Sequence, residues 1–401
     1  MKRLVIVGAG QAGLSTAARL RSQGFDGAIT ILGEEPSLPY QRPPLSKKYL
    51  TGEYDAERLL LRAESFYRDQ EIAVRIGTRV AGIDRAAKHV EANGGAIAYD
   101  CLVLTTGARP RTLPAHLGGE LERVYSMRSL ADADAMAPEF VSGRRVVIIG
   151  GGYVGLEAAA VAASRGLRVT LVEASSRILQ RVAAPQTSDY FRALHEDHGV
   201  TLIEGVGLDR LLGDHAVAGA RLLDGREIGA DFVLVGIGVQ PNAELAERSG
   251  LHSDNGIEVD AFGRTSDPAV FAAGDCCSFP YKGRRIRLES VPNAIAQAEA
   301  VADVILGGGE AYIPDIWFWS DQYDVKMQIA GLNTGYDSVV GRRDGETRSF
   351  WYYQNERLIA VDALNDARSF MTARRWLKAG LSPRSDDIAT PGSPLSALGV
   401  T

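Results

Sequence analysis

Two glycine-rich turns carry most of the chemistry that this 401-residue sequence could do. Gly8-Ala9-Gly10-Gln11-Ala12-Gly13 follows the apolar run Leu4-Val5-Ile6-Val7, and Gly150-Gly151-Gly152-Tyr153-Val154-Gly155 follows Val146-Val147-Ile148-Ile149. At a strand-to-helix junction the first glycine permits the tight turn and the second lets backbone N–H groups approach a pyrophosphate. The third allows the helix to pack close to the strand, so that a diphosphate meets the positive end of the helix dipole. One such turn alone is weak evidence. Two in this context imply two dinucleotides, and the economical pair is a flavin and a nicotinamide, which is a redox pairing.

Acidic residues stand where riboses would be. Glu34 and Glu35 follow the strand Ala28–Leu32, and Glu173 closes the strand beginning at Arg168, each at the distance from its glycine turn that suits a ribose 2′-OH. Glu173 would accept hydrogen bonds from the ribose hydroxyls of NADH, whereas NADPH would bring a phosphate against it. Two like charges at about 4 Å cost roughly 1 kcal/mol in water and about 4 at an effective dielectric of 20. That is roughly a 5- to 1,000-fold preference for NADH. Arg177 lies close enough in sequence to soften it. At the first site Glu34 is favoured over Glu35, which reads as a surface charge. Asp275 follows Val270-Phe271-Ala272-Ala273-Gly274, where small residues allow backbone to approach a ligand; a helix-cap or turn aspartate is the other reading. Gly236-Ile237-Gly238 marks the exit of the second unit.

These residues need two βαβ units to position them. Residues 3–7 read as a buried strand and 12–23 as a helix. The second unit starts at Arg145, with a helix from near Tyr153 and later strands at Arg168–Val172 and Phe232–Val235. Residues 36–47 form a loop stiffened by Pro39, Pro43 and Pro44, short strands follow over 72–99, and a helix near Pro292–Leu306 returns to the first domain. Gly307-Gly308-Gly309 reads as a linker, 315–364 as an antiparallel sheet, 366–378 as a helix, and the Ser-, Pro- and Gly-rich tail from 382 as mobile. Composition is that of a globular protein, 45% apolar and 23% charged, with a formal charge of −6 that argues against nucleic acid. Three cysteines are too few for a disulfide framework, and no apolar run approaches a membrane span, so a cytoplasmic setting without membrane attachment is expected.

With those residues in hand, the chain resembles the FAD-dependent NADH:ferredoxin reductases of bacterial oxygenase systems, the putidaredoxin reductase and aromatic-ring dioxygenase reductase group. The resemblance runs through both glycine turns, Leu38-Pro39-Tyr40-Gln41-Arg42-Pro43-Pro44-Leu45-Ser46-Lys47, Thr105-Thr106-Gly107-Ala108, Leu156-Glu157, Gly274-Asp275, Glu289-Ser290-Val291-Pro292-Asn293-Ala294 and Trp317-Phe318-Trp319-Ser320-Asp321-Gln322. It implies an α/β fold of glutathione-reductase type, with two Rossmann-like dinucleotide-binding domains and a C-terminal α+β domain. FAD is expected on 1–113 and 244–313, NADH on 114–243, and the domain flanking the flavin on 314–401. By position, the FAD contacts implied are Ala12, Glu34, Arg42, Lys47, Val80, Arg128, Asp275 and Val291, beside the glycines at 8, 10, 13 and 274. Those implied for NADH are Gly150, Gly152, Tyr153, Val154, Gly155, Glu157, Glu173, Gly236, Ile237 and Gly238. The resemblance also pairs Lys47 with Glu157 beside the flavin N5 edge and sets Trp319 near the isoalloxazine, a catalytic trio.

Disulfide reductases of this architecture carry a redox cysteine pair near the flavin, and Arg42–Lys47 contains none. Cys101 and the vicinal Cys276-Cys277 read as structural. Electrons are therefore expected to leave singly for an external carrier, which the resemblance implies is a [2Fe-2S] ferredoxin that feeds a cytochrome P450 or a ring-hydroxylating dioxygenase. Basic candidates for docking it are Lys282, Arg284, Arg285 and Arg287, then Arg342-Arg343, then Arg374-Arg375 with Lys378. Rival expectations are a rubredoxin reductase and an NADH-binding redox sensor of the apoptosis-inducing-factor type.

Overall fold

Alternation along Leu4-Val5-Ile6-Val7 sets the layers of the first sheet, because successive side chains leave a strand on opposite faces. Leu4 and Ile6 join Leu14, Ala17 and Leu20 of the helix Gln11–Ser22 and Ala298 and Val301 of the helix Val291–Ile305. Val5 and Val7 face the other way, toward Val90, Ile257, Val259 and Phe279. The computed structural model describes residues 1–390, 394–395 and 398–400. It divides into two units: Met1–Gln41 with Asp55–Arg109 and Val239–Pro314, and Arg42–Tyr54 with Pro110–Gly238 and Asp315–Thr401.

In the first unit five parallel strands run in the order Val270–Ala272, Cys101–Leu104, Arg3–Val7, Ala28–Leu32, Ile72–Arg75. Helices cover one face and a three-stranded antiparallel sheet, Val80–Asp84, His89–Ala92 and Gly95–Ala98, contributes to the other. The glycine stretch expected as a linker begins by closing the helix before it. Gly307 and Gly308 donate their N–H groups back to the carbonyls of Val304 and Asp303, with Gly307 at φ +88°.

The second unit repeats the plan, with parallel strands in the order Thr201–Glu204, Arg168–Glu173, Arg145–Ile149, Phe232–Val235, Val124–Tyr125. It also holds a five-stranded antiparallel sheet, ordered Trp317–Gln322, Val325–Gly331, Arg357–Leu364, Thr347–Gln354, Ser338–Asp344. Met327, Tyr352 and Leu364 of that sheet share one core with Leu156, Ala159 and Phe191. The opposite face packs on the helix Ala367–Ala379 through Trp351, Phe370 and Trp376. The tail is not the mobile appendage its composition suggests. Ile388 on the short helix Ser385–Ala389 and Leu395 are buried in this same cluster, and Pro383 bridges Val400. Pro391–Ser393, Ser396, Ala397 and Thr401 lie outside the described residues.

One carboxyl is enclosed in the shared core. Asp362 Oδ2 accepts from Thr187 Oγ1 at 2.7 Å and from the Tyr352 hydroxyl, while Oδ1 finds no partner among the described residues. Burial pushes its pKa up to about 7, against the pull of those two donors. Between the unfolded value near 3.8 and 7 the folded state holds the extra proton. Its contribution to stability is therefore complete below pH 4 and is lost as pH rises through 7, a span worth up to roughly 4 kcal/mol. Asp362→Asn is expected to flatten that slope. Melting curves at pH 5 and pH 8 that fall equally in variant and wild type would contradict this.

Candidate active site

In both turns the glycines divide into two kinds. A Cβ on Gly8 would lie 2.1 Å from the Thr105 carbonyl oxygen, and one on Gly13 would lie 2.1 Å from that of Gly8. Gly150 and Gly155 repeat this, with Cβ positions 2.4 Å from the Gly236 oxygen and 2.0 Å from that of Gly150. Packing alone demands those four. Gly10 and Gly152 are different, since a Cβ on either meets no heavy atom within 4 Å. Each is the N-cap of its helix, in extended backbone open to any residue and with no side-chain cap. Glycine there leaves room over unsatisfied helix N–H groups, a cradle shaped for a diphosphate.

Around the first cradle, Gly274 is held by its N–H to Gln297 Oε1 at 2.9 Å, at φ +84° and close against Ala12. Asp275 follows it, half-buried, at the end of the buried segment Val270–Gly274. Val291 opens its helix behind the Ser290 cap, and Val80 begins an edge strand, half-buried. The two candidate acids separate clearly. Glu35 takes the Tyr40 hydroxyl, whereas Glu34 is exposed, with a loose 3.5 Å pairing to Arg79.

At the second cradle Glu173 reaches back to its own turn. Oε2 accepts from the Gly151 N–H and Oε1 from the Ser175 N–H, both at 2.7 Å. The carboxylate thus sits beside the glycine turn at the strand's end. Arg177 does not compete with it, because its guanidinium donates to Ser188 Oγ at 2.6 Å and toward the Gln180 carbonyl. The loop Gly236-Ile237-Gly238 abuts Gly150, and Gly236 donates to the Ile149 carbonyl at 2.7 Å. Val154 is exposed on the first turn of the helix, and Tyr153 packs edge-on to Phe318 with centroids 4.8 Å apart.

Further along the same helix the buried Glu157 pairs with the partly buried Lys47. Glu157 Oε1 is 3.0 Å from Lys47 Nζ and accepts from Ser320 Oγ at 2.8 Å, while Oε2 accepts from Ser46 Oγ at 3.3 Å. Asp321 Oδ2 is a second carboxylate at 3.5 Å from Lys47. Burial raises the Glu157 pKa, and Lys47, Ser320 and the Asp321 backbone pull it back down. Lys47 sits at a kink in the helical segment Leu45–Tyr49, with non-helical backbone at φ −131° and ψ −110°, where the proline loop ends; the Tyr49 hydroxyl ties the segment to Asp134 at 2.6 Å. Nearby in the same unit Arg42 donates to the Arg128 carbonyl at 2.7 Å, which brings those two together.

Comparison with known proteins bears on this arrangement. Residues 2–298 match the pyridine nucleotide-disulphide oxidoreductase family and 317–399 the reductase C-terminal family. Rhodocoxin reductase of Rhodococcus erythropolis is 43% identical over 93% of this chain and 89% of its own. A ferredoxin–NAD(P)+ reductase of a Sphingomonas species is 44% identical over 94% and 92%. The crystal structure of a covalent putidaredoxin reductase–putidaredoxin complex superimposes with a TM-score of 0.95 at 37% identity, covering 98% of this chain and 97% of that one. The chain belongs to the FAD-dependent ferredoxin reductases. It is an oxidoreductase whose cofactors are FAD and a nicotinamide dinucleotide.

This ferredoxin reductase has no thiol route despite the family's disulphide name. Cys101, Cys276 and Cys277 are free and buried, and burial drives each thiol pKa upward, that of Cys101 to about 12. Cys277 donates to Gln297 Oε1 at 3.3 Å, a packing role. Trp319 is half-buried beside Trp317, with ring centroids 5.9 Å apart. The basic clusters are less available than their sequence suggests. Arg285 donates to the Val259 carbonyl and Arg287 pairs with Glu289 at 2.6 Å, while Arg374 is clamped by Asp315 and lies over Trp317. Lys282, Arg284, Arg285, Arg343, Arg375 and Lys378 are nevertheless exposed.

Ser320, Asp321 and Gln322 enter the sequence reading only within the motif that carries the resemblance, with no role of their own, and His195 does not enter at all. A signal existed for two of them. In Trp317-Phe318-Trp319-Ser320-Asp321-Gln322, residues 318, 320 and 322 share one strand face, and polar residues beside an inward Phe318 mark a buried polar contact. His195 offered none.

Proposed function

We propose that this protein takes electrons from NADH through FAD and passes them singly to a [2Fe-2S] ferredoxin that feeds a cytochrome P450 or a ring-hydroxylating dioxygenase, in the cytoplasm. The observation that carries the reading is the pair of open cradles at Gly10 and Gly152 on a chain without an exposed thiol among its described residues. FAD, when bound, supplies the conversion of a hydride's electron pair into single-electron steps. The chain's own residues supply orientation and charge. Gly10, Ala12, Gly13, Glu34, Val80, Gly274, Asp275 and Val291 hold FAD in this reading. Gly150, Gly152, Tyr153, Val154, Gly155, Glu173 and Gly236–Gly238 hold NADH.

Lys47 and Glu157 serve the hydride step. Lys47, partly buried and held in place by Glu157, would answer the negative charge of a reduced flavin without reorganisation. Glu157 balances that lysine at other times, as an unpaired buried charge would be costly. Trp319 excludes water from the same region. Anaerobic titration with NADH is expected to bleach the protein with one equivalent per flavin. Mixing with an excess of a [2Fe-2S] ferredoxin then restores the colour within the catalytic time as the cluster is reduced. Fast recovery with rubredoxin, quinone or oxygen and none with any such ferredoxin would remove the proposed acceptor.

A further inference from the structure

Glu157 is the end of a chain of buried side chains that runs away from Lys47. Ser320 Oγ is 2.8 Å from Glu157 Oε1, Gln322 Nε2 is 3.2 Å from Ser320 Oγ, Gln322 Oε1 is 2.8 Å from His195 Nε2, and the Tyr323 hydroxyl is 3.2 Å from His195 Nδ1. Ser320, Gln322 and His195 are each fully buried. Phe318, Ser320 and Gln322 share the strand face turned to the helix Tyr153–Ser164, and His195 sits in the last turn of the helix Pro185–Asp197. Three polar side chains in a core are a net cost unless every group is satisfied, and apolar residues would pack there at lower cost.

The direction of every bond follows from one end. An ionised carboxylate has no proton to give, so Ser320 spends its single hydrogen on Glu157. Its oxygen must then accept from Gln322, which turns the amide oxygen toward His195. That oxygen needs a hydrogen, so His195 carries its proton on Nε2, and the bare Nδ1 accepts from Tyr323. Burial lowers the His195 pKa to about 4, which keeps the ring neutral with one proton across the working range. Tyr323 is fixed in turn by stacking on His198, with centroids 3.7 Å apart.

We propose that Ser320, Gln322 and His195 are positioning residues, a one-way hydrogen-bond chain that keeps Glu157 ionised and aimed at Lys47. The proposal deepens the reading of Lys47 and Glu157 as the groups that serve hydride transfer, and rests on it. The groups facing Glu157 are Lys47 and Ser46 from the turn, and Ser320 and Asp321 from the strand. On the strands flanking its helix, Arg145 is committed to Asp231, Glu173 is committed to Gly151 and Ser175, and Arg168 is exposed at the strand's start. The groups facing His195 are Gln322, Tyr323 and His198, while Arg192 of its helix is held by Asp189 and Glu204.

The test is a pH titration of the oxidised, FAD-loaded protein by infrared difference spectroscopy, with the Glu157 carboxyl band identified by its loss in Glu157→Gln. Ser320→Ala is expected to raise the midpoint of that band by about one pH unit, a tenfold change in proton affinity. His195→Phe moves it the same way by less, and His195→Gln, which restores an N–H at the Nε2 position, returns it toward wild type. The pH profile of flavin reduction by NADH shifts in parallel. A midpoint unmoved in both Ser320→Ala and His195→Phe, or a band that no variant shows, overturns the proposal. Were Glu157→Gln instead to leave the reduction profile unchanged while the infrared midpoints still moved, the chain would stand and the hydride-step role of Glu157 would fall.

Discussion

Gly152→Val is expected to give a folded, yellow protein that NADH no longer reduces at ordinary concentrations, and Gly10→Val a folded protein without colour. The reason is that neither residue is needed by the fold. Backbone angles at both are extended, and no heavy atom lies within 4 Å of a Cβ at either, so a side chain costs the polypeptide little, within about 0.5 kcal/mol. A diphosphate on the helix N-terminus would instead meet an isopropyl group in the space over the N–H donors. Losing that seat removes several charge-assisted hydrogen bonds and is expected to weaken binding by 100-fold or more, about 3 kcal/mol. The same substitution at Gly8 or Gly155 has the opposite signature. There the new atom strikes a carbonyl oxygen at 2.1 or 2.0 Å, so soluble protein itself is lost. Flavin content, circular dichroism and anaerobic bleaching by NADH separate the cases. If Gly152→Val were reduced at wild-type rates, the nicotinamide dinucleotide would not be held at that turn.

What the sequence made legible, and what it hid, follows from the range over which each feature is determined. The βαβ units are local: an apolar strand, a glycine turn and a small-residue helix are written in consecutive residues, and both appear where their periodicity puts them, at Arg3–Ser22 and Arg145–Ser164. Glu173 was legible for the same reason, since a strand of known start has a known end. The tail misled because Ser, Pro and Gly describe how a chain behaves in water. Ile388 and Leu395 are placed by a cluster around Trp351 and Trp376. In the basic clusters it was the pairings that stayed hidden, as a run of arginines does not say that one answers Glu289 and another Asp315. The polar chain behind Glu157 joins residues separated by well over a hundred positions, and His195 sits in an otherwise ordinary amphipathic helix. Only the fold brings it to Gln322.

In the proposed reading Glu173 sets a preference for NADH over NADPH that its replacement should collapse, and the geometry says which substitution tests the cause. Carboxylate and 2′-phosphate repel by roughly 1 to 4 kcal/mol, a selectivity of about 5- to 1,000-fold. Yet the same carboxylate accepts the Gly151 and Ser175 N–H groups, so Glu173→Ala both removes a charge and leaves two donors of the turn unsatisfied. Glu173→Gln is the cleaner probe. It keeps the length of the side chain and one accepting oxygen, loses the charge, and sets an N–H₂ against one backbone donor. NADH use is therefore expected to fall modestly while NADPH use rises, lowering the ratio of their kcat/KM values by tenfold or more. NADPH does not become the preferred substrate, because Arg177, the nearest guanidinium in sequence, is spent on Ser188 and Gln180 and offers no phosphate site. Glu173→Arg adds that missing cation and is expected to carry the ratio further in the same direction. A ratio unchanged in all three variants would mean that selectivity between the two dinucleotides is set elsewhere, and that Glu173 serves only to hold its own glycine turn.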